Sequence, residues 1–570
     1  MCGFVCIVRK NYTFSKSQIN IPKHLLEHRG PDHTREIVQD NVVFRHWRLS
    51  IVDLTENSNQ PVVQDGRIFV YNGEIYDYKT IGQRFNIKED GDTRTIFSLL
   101  KKKNGFENIQ NSSGFYSFLL HNISRNVIFG SRDRFGKKPL FYYYDSETAI
   151  FSSEERGILP FLDNKSINYS SLGEYLLYKS RFNGKSCFNN IYEIPPGSFF
   201  EFNIAKWKIN FSNDWSNYYQ SDIKNSFFTN DTNHNFDNHN NLESSLINAV
   251  EKRISCDVPV QIALSGGLDS ATITSLSVAS SFNENLLRTI TVGFSLGIDE
   301  SYEAKYLSEN LNLNNRKVIF NNDLIFDYLK DCIIAMQAPL DHPHALAYYL
   351  LCNEVRKKGK VLITGEGADE LFFGYDHYKS FSGNSFAFRE FLSENDENFF
   401  ITNNGNSLFS LLRENSNITN LRYESLVSPY KSRDMEIKTH LLSLLQRNDK
   451  MSMANSVEIR APFLDPFIAS IALNIISPDT NMENKSFIRK IFTRLNPKIK
   501  IKSQKNGFRV PIDENIEYIK NHKEGTYYIQ LASKMIEQCF DFKVDNSRRL
   551  SPRLIWSLIN IGCFLECYDN

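Results

Sequence analysis

Hydrophobic and polar positions follow two different rhythms in the two halves of this chain. Up to about residue 200 the apolar positions fall in short runs rich in aromatic and β-branched residues. Residues 2–8, 69–71, 115–120, 127–129 and 139–144 are the clearest, with Gly, Asn, Asp and Ser clusters between them. That pattern predicts β-strands joined by turns. One helical stretch is expected at 93–103 with Asp92 as its N-cap, and Pro195-Pro196-Gly197 marks a turn near the end of the region. From 225 to 241 Asn, Asp, Thr, Ser and His dominate, a composition that cannot supply a core and reads as a linker. Beyond it, helical spacing at 242–253 and 345–358 alternates with buried-strand runs at 258–264, 289–294 and 360–364. Such alternation predicts βαβ units and a parallel sheet. The remainder reads as mostly helical, and no internal repeat is visible.

Composition narrows the function classes. A chain of 570 residues with 41% hydrophobic and 23% charged positions can bury several cores. Lys plus Arg is 66 and Asp plus Glu is 66, so no net charge argues for a nucleic-acid partner. The nine cysteines form no C-x-x-C pair, which argues against a zinc site or a disulfide framework. The first apolar run is too short for a signal peptide, and none reaches the ~18 apolar residues of a membrane helix. A cytoplasmic protein without membrane or nucleic-acid partners is expected.

Three clusters carry candidate chemistry. If Met1 is removed, Cys2 holds a thiol and a free α-amine in one residue, a nucleophile with its own base. Near it in type, though not in sequence, stand His28-Arg29-Gly30-Pro31-Asp32, Arg48-Leu49-Ser50-Ile51-Val52-Asp53 and Tyr71-Asn72-Gly73-Glu74. The Asn72 side chain and the Gly73 backbone N–H suit an oxyanion hole, and Arg48 and Asp92 suit the two charged groups of an amino acid. The second cluster, Leu264-Ser265-Gly266-Gly267-Leu268-Asp269-Ser270, follows a strand and opens a helix. Its backbone N–H groups can close around phosphate, with Asp269 available to Mg²⁺. It is not a Walker A loop, because no G-K-[ST] follows. The third, Thr364-Gly365-Glu366-Gly367-Ala368-Asp369-Glu370, puts three carboxylates in one turn. They would repel one another unless a metal or cation is shared.

Taken in order, these clusters resemble the asparagine synthetase B family of glutamine-dependent amidotransferases. The resemblance extends to Ser131-Arg132-Asp133-Arg134-Phe135-Gly136, to Val457-Glu458-Ile459-Arg460-Ala461-Pro462-Phe463-Leu464-Asp465 and to Lys505-Asn506-Gly507-Phe508. It implies an α+β and α/β chain. Residues 1–205 would form an αββα N-terminal-nucleophile (Ntn) hydrolase sandwich, 206–240 the polar linker, and 241–570 an ATP-pyrophosphatase (PP-loop) domain. By the same resemblance Cys2 is the nucleophile, and Arg48, Ile51, Val52, Asn72, Gly73, Glu74 and Asp92 hold glutamine. Leu264, Ser265, Gly266, Gly267, Asp269, Ser270, Val292, Thr364 and Gly365 hold ATP, Asp269 and Asp369 hold Mg²⁺, and Glu366 and Lys485 serve the acyl-adenylate step.

The implied reaction has two halves. Cys2 releases ammonia from glutamine through a thioester, while an acceptor carboxylate attacks the α-phosphorus of MgATP to give an acyl-adenylate and pyrophosphate. Ammonia then crosses the interior and displaces AMP. Enclosure matters because ammonium is not nucleophilic. Aspartate is the expected acceptor, with a sugar uronic acid as the alternative, and a homodimer is the assembly considered. Gly91-Asp92-Thr93-Arg94 and Thr364 depart mildly from the family pattern. Residues 337–344 depart more, lacking the Arg that such enzymes carry there, so that His342 or His344 is the expected cation for the acceptor. A PP-loop tRNA-modifying enzyme and an inactive binding relative are disfavoured by the zero net charge and the intact Cys2 cluster.

Overall fold

The computed structural model describes residues 2–14, 21–178, 184–212, 238–280, 287–295, 299–375, 378, 400–402, 429–475, 485–501, 510–540, 542–544 and 550–569. Met1, most of the polar linker and the segment Lys505 to Phe508 lie outside these residues. Among the described residues, the first 212 carry β1 (Cys2–Arg9), β2 (His33–Gln39), β3 (Val42–Arg48), β4 (Val62–Gln64), β5 (Arg67–Ile75), β6 (Gly114–Asn122) and β7 (Val127–Arg132). They continue with β8 (Phe141–Tyr144), β9 (Thr148–Ser152), β10 (Ile191–Glu193), β11 (Phe199–Asn203) and β12 (Lys208–Ser212). One antiparallel sheet runs β10-β8-β9-β1-β3-β2 and the other β12-β11-β7-β6-β5-β4.

β1 shows why the strands read as unbroken apolar runs. Phe4, Cys6 and Val8 face the second sheet, meeting Val70, Leu119 and Phe200. The alternate residues Val5 and Ile7 face the helix Tyr169–Tyr178 through Leu172 and Leu176. A strand covered on both faces loses the apolar–polar alternation. The outer face of the second sheet, Phe69, Tyr71 and Phe118, lies under helices Tyr78–Phe85, Asp92–Leu100 and Gly105–Gln110. The result is the expected order of helix, sheet, sheet, helix.

The second half is built on a five-stranded sheet ordered β15 (Asn314–Phe320), β14 (Arg288–Phe294), β13 (Val260–Ala263), β16 (Val361–Ile363), β18 (Glu458–Arg460), every pair parallel. A separate ribbon joins β17 (Phe400–Thr402) to β19 (Phe542–Val544). The chain leaves β13 toward β14 and β15, then crosses back to β16 on the other side. The sheet therefore reverses its strand order between β13 and β16, the position where open parallel sheets bind ligands.

Several sequence expectations are corrected. The helix near residue 93 begins at Asp92 and ends at Leu100, and Gly91 (φ 80°) is its N-cap. Asp92 is instead the first helical residue, its carboxylate accepting the Thr93 N–H at 2.7 Å. Three further helices of the first half were not expected from spacing, since each is short and covers only one face of a sheet. The run 139–144 starts as a strand only at Phe141, because the amide of a Pro cannot enter the ladder.

Buried imidazoles give the sandwich a pH dependence. His121 stacks on Phe44 with centroids 6.2 Å apart, and neither ring nitrogen has a hydrogen-bond partner among the described residues. Burial lowers its pKa to about 4, and burial lowers that of His46 to about 3. The native state therefore refuses protons that the unfolded chain accepts below 6.5, so stability is lost as pH falls from 6.5 toward 4. His121→Phe should remove on the order of 3 kcal/mol of that loss. Urea unfolding at pH 7 and pH 4.5 tests this: an unchanged slope in the variant contradicts it, while the His46 share persists in both proteins.

Candidate active site

At the N-terminus, β1 lies between β3 and β9, and Cys2 pairs with Arg48 in register. Cys2 is buried, and its backbone N donates to Asn72 Oδ1 at 3.1 Å from across the sandwich. The Asn72 Nδ2 is buried and has no hydrogen-bond partner among the described residues. A buried amide donor left unpaired beside a thiol is what an oxyanion-binding group requires before its ligand arrives. Gly73 follows, and a Cβ there would lie 2.3 Å from the Phe115 carbonyl oxygen, so the close strand approach demands glycine.

The glutamine residues expected from sequence gather around this point with different partners. The Arg48 Nη1 donates to Thr55 O at 2.6 Å and to Asn59 Oδ1 at 2.8 Å, and its Nη2 donates to Asp53 O. The loop after β3 thus wraps the guanidinium. Asp92 is buried, with Oδ2 accepting Tyr71 OH at 2.9 Å and the Ile75 N–H at 3.2 Å; burial pushes its carboxyl up against those bonds. Ile51 and Val52 sit against the second half, where Ile51 O accepts the Asp257 N–H at 3.1 Å. The Glu74 carboxylate points to Arg460 of β18, Oε2 lying 2.5 Å from Nη2.

At the sheet reversal, the loop after β13 and the loop after β16 meet. Gly266 has φ +86°, and a Cβ there would sit 2.8 Å from Glu300 O. The Ser265 and Ser270 hydroxyls are 3.0 Å apart, and helix Leu268–Ala279 begins without a side-chain cap. Its first N–H groups and its dipole therefore remain for an anion. Leu264 directly follows β13 and Val292 lies on the neighbouring β14, Thr291 Oγ1 donating to Leu264 O at 2.7 Å. On the facing loop the buried Thr364 Oγ1 has no hydrogen-bond partner among the described residues, and Gly365 lets that loop approach Asp269.

The repulsion expected among the acidic residues is resolved by one cation. Lys485 Nζ lies 2.5 Å from Asp269 Oδ2 and 2.7 Å from Asp369 Oδ1. Burial alone would lower its pKa, but the two carboxylates override that and raise it. The other two acids turn elsewhere. Glu370 is buried and accepts from Tyr375 OH at 2.6 Å; burial and Asp369 push its carboxyl up to about 8. Glu366 Oε2 accepts Tyr348 OH at 3.1 Å and Asn448 Nδ2 at 2.9 Å, with Arg447 Nη2 at 3.5 Å. Asp269 and Asp369 are two hard oxygen donors in the first turns of facing helices, Leu268–Ala279 and Ala368–Leu371. That set fits Mg²⁺, which takes one or two carboxylates and completes its shell with phosphate oxygens and water.

Sequence reading gave no role to the helix Leu442–Met453. Arg447, Asn448, Asp449 and Lys450 are consecutive and all buried. Four successive residues at 100° each span most of a helix's circumference, so this helix is surrounded by protein. The available signal was that polar run between Leu444-Leu445 and Met451. His342 and His344 do lie on this side, their rings 5.8 Å apart, with His440 5.7 Å from His342. Arg29 was noted only within a polar cluster. It is fully buried, donating Nε to Cys2 O at 3.0 Å and Nη1 to Glu154 at 2.8 Å, with Nη2 2.9 Å from Asp449.

A thiol at residue 2 of an antiparallel sandwich, joined to a parallel sheet with a glycine-serine loop, is the arrangement of a glutamine amidotransferase coupled to a synthetase. Residues 1–215 match the glutamine amidotransferase domain and residues 241–525 match asparagine synthase. The chain belongs to the asparagine synthase family and is a glutamine-dependent, amide-forming ligase with an Ntn-type first domain and a PP-loop second domain. It is 28% identical to asparagine synthetase [glutamine-hydrolyzing] 1 of Bacillus subtilis, over 98% of this chain and 97% of the relative. Asparagine synthetase [glutamine-hydrolyzing] 3 of that organism is 25% identical over 100% and 99%. Amidase chry2 of Gibberella zeae is 28% identical over 62% of this chain and 55% of its own. Among the described residues, no helix is long and apolar enough to cross a membrane.

Lys485→Met would leave Asp269 and Asp369 facing each other without their shared cation. Synthesis should fall by roughly 10²–10³-fold, while glutamine hydrolysis continues. Parallel assays of pyrophosphate and glutamate release check this, and equal loss of both activities would contradict it.

Proposed function

We propose that this enzyme converts L-aspartate to L-asparagine, taking nitrogen from glutamine and releasing AMP and pyrophosphate. The observation that carries this reading is the buried connection between the two centres. Arg29 joins the Cys2 carbonyl to Asp449, and the adjacent Asn448 bonds Glu366. Two reaction centres tied through the interior suit a product that passes between them out of bulk water.

In the first half, the Cys2 thiolate attacks the glutamine δ-carbonyl and Asn72 Nδ2 with the Gly73 N–H receives the oxyanion. Ammonia leaves, and water hydrolyses the thioester to glutamate. The base is the Cys2 α-amine once Met1 has been removed. Arg48 and Asp92 hold the α-groups of glutamine, with Glu74, Ile51 and Val52 completing the pocket. In the second half, Ser265 to Ser270 and Thr364-Gly365 hold the phosphates of ATP, and Leu264 and Val292 meet its adenosine. Asp269 and Asp369 would hold Mg²⁺, which neutralises phosphate charge. Lys485 would meet the negative charge that grows on the α-phosphoryl group, and Glu366 would orient the acceptor end.

Arg447 favours aspartate. Residues 337–344 offer only imidazoles for the α-carboxylate, and the buried Arg447 guanidinium, stacked 4.5 Å over the Tyr348 ring, supplies a permanent cation beside Glu366. A buried carboxylate without such a partner would cost several kcal/mol.

Four measurements test the reading. Intact mass should lack Met1, and Cys2→Ala should lose glutamine use but keep synthesis from ammonium chloride; loss of both would end the division of labour. Across a panel of acids, aspartate should drive AMP and pyrophosphate release, and Arg447→Leu should raise its KM by roughly 10–100-fold, the weight of one charged hydrogen bond. Release with a uronic acid but none with millimolar aspartate would replace the acceptor.

A further inference from the structure

Lys137 is one of several buried cationic-type side chains that the reaction above does not use. The Asp133 carboxylate accepts the N–H groups of Phe135, Lys137 and Lys138 at 3.1, 3.1 and 2.9 Å, which pins this turn. The Lys137 side chain is 1% exposed. Its Nζ lies 4.6 Å from the Phe115 ring centroid and has no hydrogen-bond partner among the described residues. Burial holds its pKa well below the usual lysine range, and Lys138 and Arg253 lower it further, against Glu458 and Asp449. Desolvation penalises the charged form of this amine, and the Phe115 ring face returns part of that cost.

The position of this amine matters more than its ionisation. Phe115 is the cross-strand partner of Glu74 and abuts Gly73, beside the oxyanion residue Asn72. Asp449 and Glu458 belong to the second half, and Asp449 adjoins the Asn448 that bonds Glu366. Lys137 thus sits at the junction, between the Cys2 centre and the Glu366 centre. A desolvated amine there offers hydrogen bonds to any small polar molecule that crosses. The cations Lys138, Arg253 and Arg460 nearby disfavour an ammonium ion.

We propose that Lys137 is a specificity-determining residue of nitrogen transfer: its unpartnered side-chain amine hydrogen-bonds ammonia on its way from Cys2 toward Glu366 and passes it on as neutral NH₃. No covalent bond is made or broken in this step. The proposal rests on the reading of the chain as a glutamine-dependent amide synthetase whose two centres exchange ammonia internally.

The test uses the full-length enzyme and its Lys137→Met and Lys137→Gln variants. Glutamate formed per AMP formed is measured with glutamine as nitrogen donor, and AMP formation is measured separately with ammonium chloride. In Lys137→Met the glutamate-to-AMP ratio should rise by about 3–10-fold, the weight of one hydrogen bond, with ammonium-supplied synthesis unchanged. Lys137→Gln, which keeps a polar neutral group, should recover part of the coupling. A ratio unchanged in Lys137→Met, or a parallel loss of ammonium-supplied synthesis, overturns the proposal. A second readout is independent of any acceptor: in protein carrying ¹³Cε-lysine, the resonance absent from a Lys137 variant should have the shift of a neutral amine at pH 7.5 and move as ammonium chloride is added. A charged-lysine shift, or no response, overturns it also. Should the wild type form no amide from either nitrogen source, the underlying reading has failed, and this resonance still decides whether Lys137 binds ammonia.

Discussion

Buried charge at the seam between the two halves has to be paired, and most of the site geometry follows from how that is done. Arg29 is fully buried and bonds Glu154, Asp449 and the Cys2 carbonyl, so one guanidinium reaches both halves. Arg460 repeats the device, its Nη2 on Glu74, its Nε on Glu458 at 2.8 Å and its Nη1 on Arg253 O at 2.5 Å. Lys450 adds a pair with Glu155 at 2.6 Å. Removing either side of such a pair strands a buried ion at a cost of about 3–5 kcal/mol. The halves are therefore held in one relative position by directional bonds as well as by apolar packing.

That constraint links the centres physically. Cys2 is placed by β1, which pairs with β3 and β9, and its carbonyl is tied by Arg29 to Asp449. The same helix that carries Asp449 presents Arg447 and Asn448 to Glu366. A displacement of this helix would be felt at both ends. The glycine-serine loop and the acidic turn are organised separately, by the strand reversal between β13 and β16 and by Lys485 drawing Asp269 and Asp369 together.

The division of acids in the turn after β16 illustrates how context assigns chemistry. Asp369 shares a lysine, Glu370 is driven toward its protonated form by burial and by Asp369, and Glu366 is met by a tyrosine, an asparagine and an arginine. Three carboxylates within five residues thus acquire three different environments.

Much of this was legible without coordinates, for physical reasons. The strand-rich first half, the βαβ alternation of the second and the glycine loops at strand ends are local: turn chemistry, apolar runs and backbone freedom are written in neighbouring residues. The candidate residues Cys2, Asn72, Ser265 to Ser270 and Glu366 were visible as motifs on the same ground. The N-cap at Gly91 was misread because Asp92 has the right side chain one position late. Arg29, Arg447 and Lys137 were different, since a charged residue in sequence carries no mark of whether it will be solvated. Only tertiary packing buried them, gave Arg29 and Arg447 their partners and left the Lys137 amine without a hydrogen-bond partner among the described residues. Sequence determined the elements and the chemistry available to them; which charges lost water, and what then faced them, was decided by tertiary packing, because desolvation is a property of the assembled surroundings.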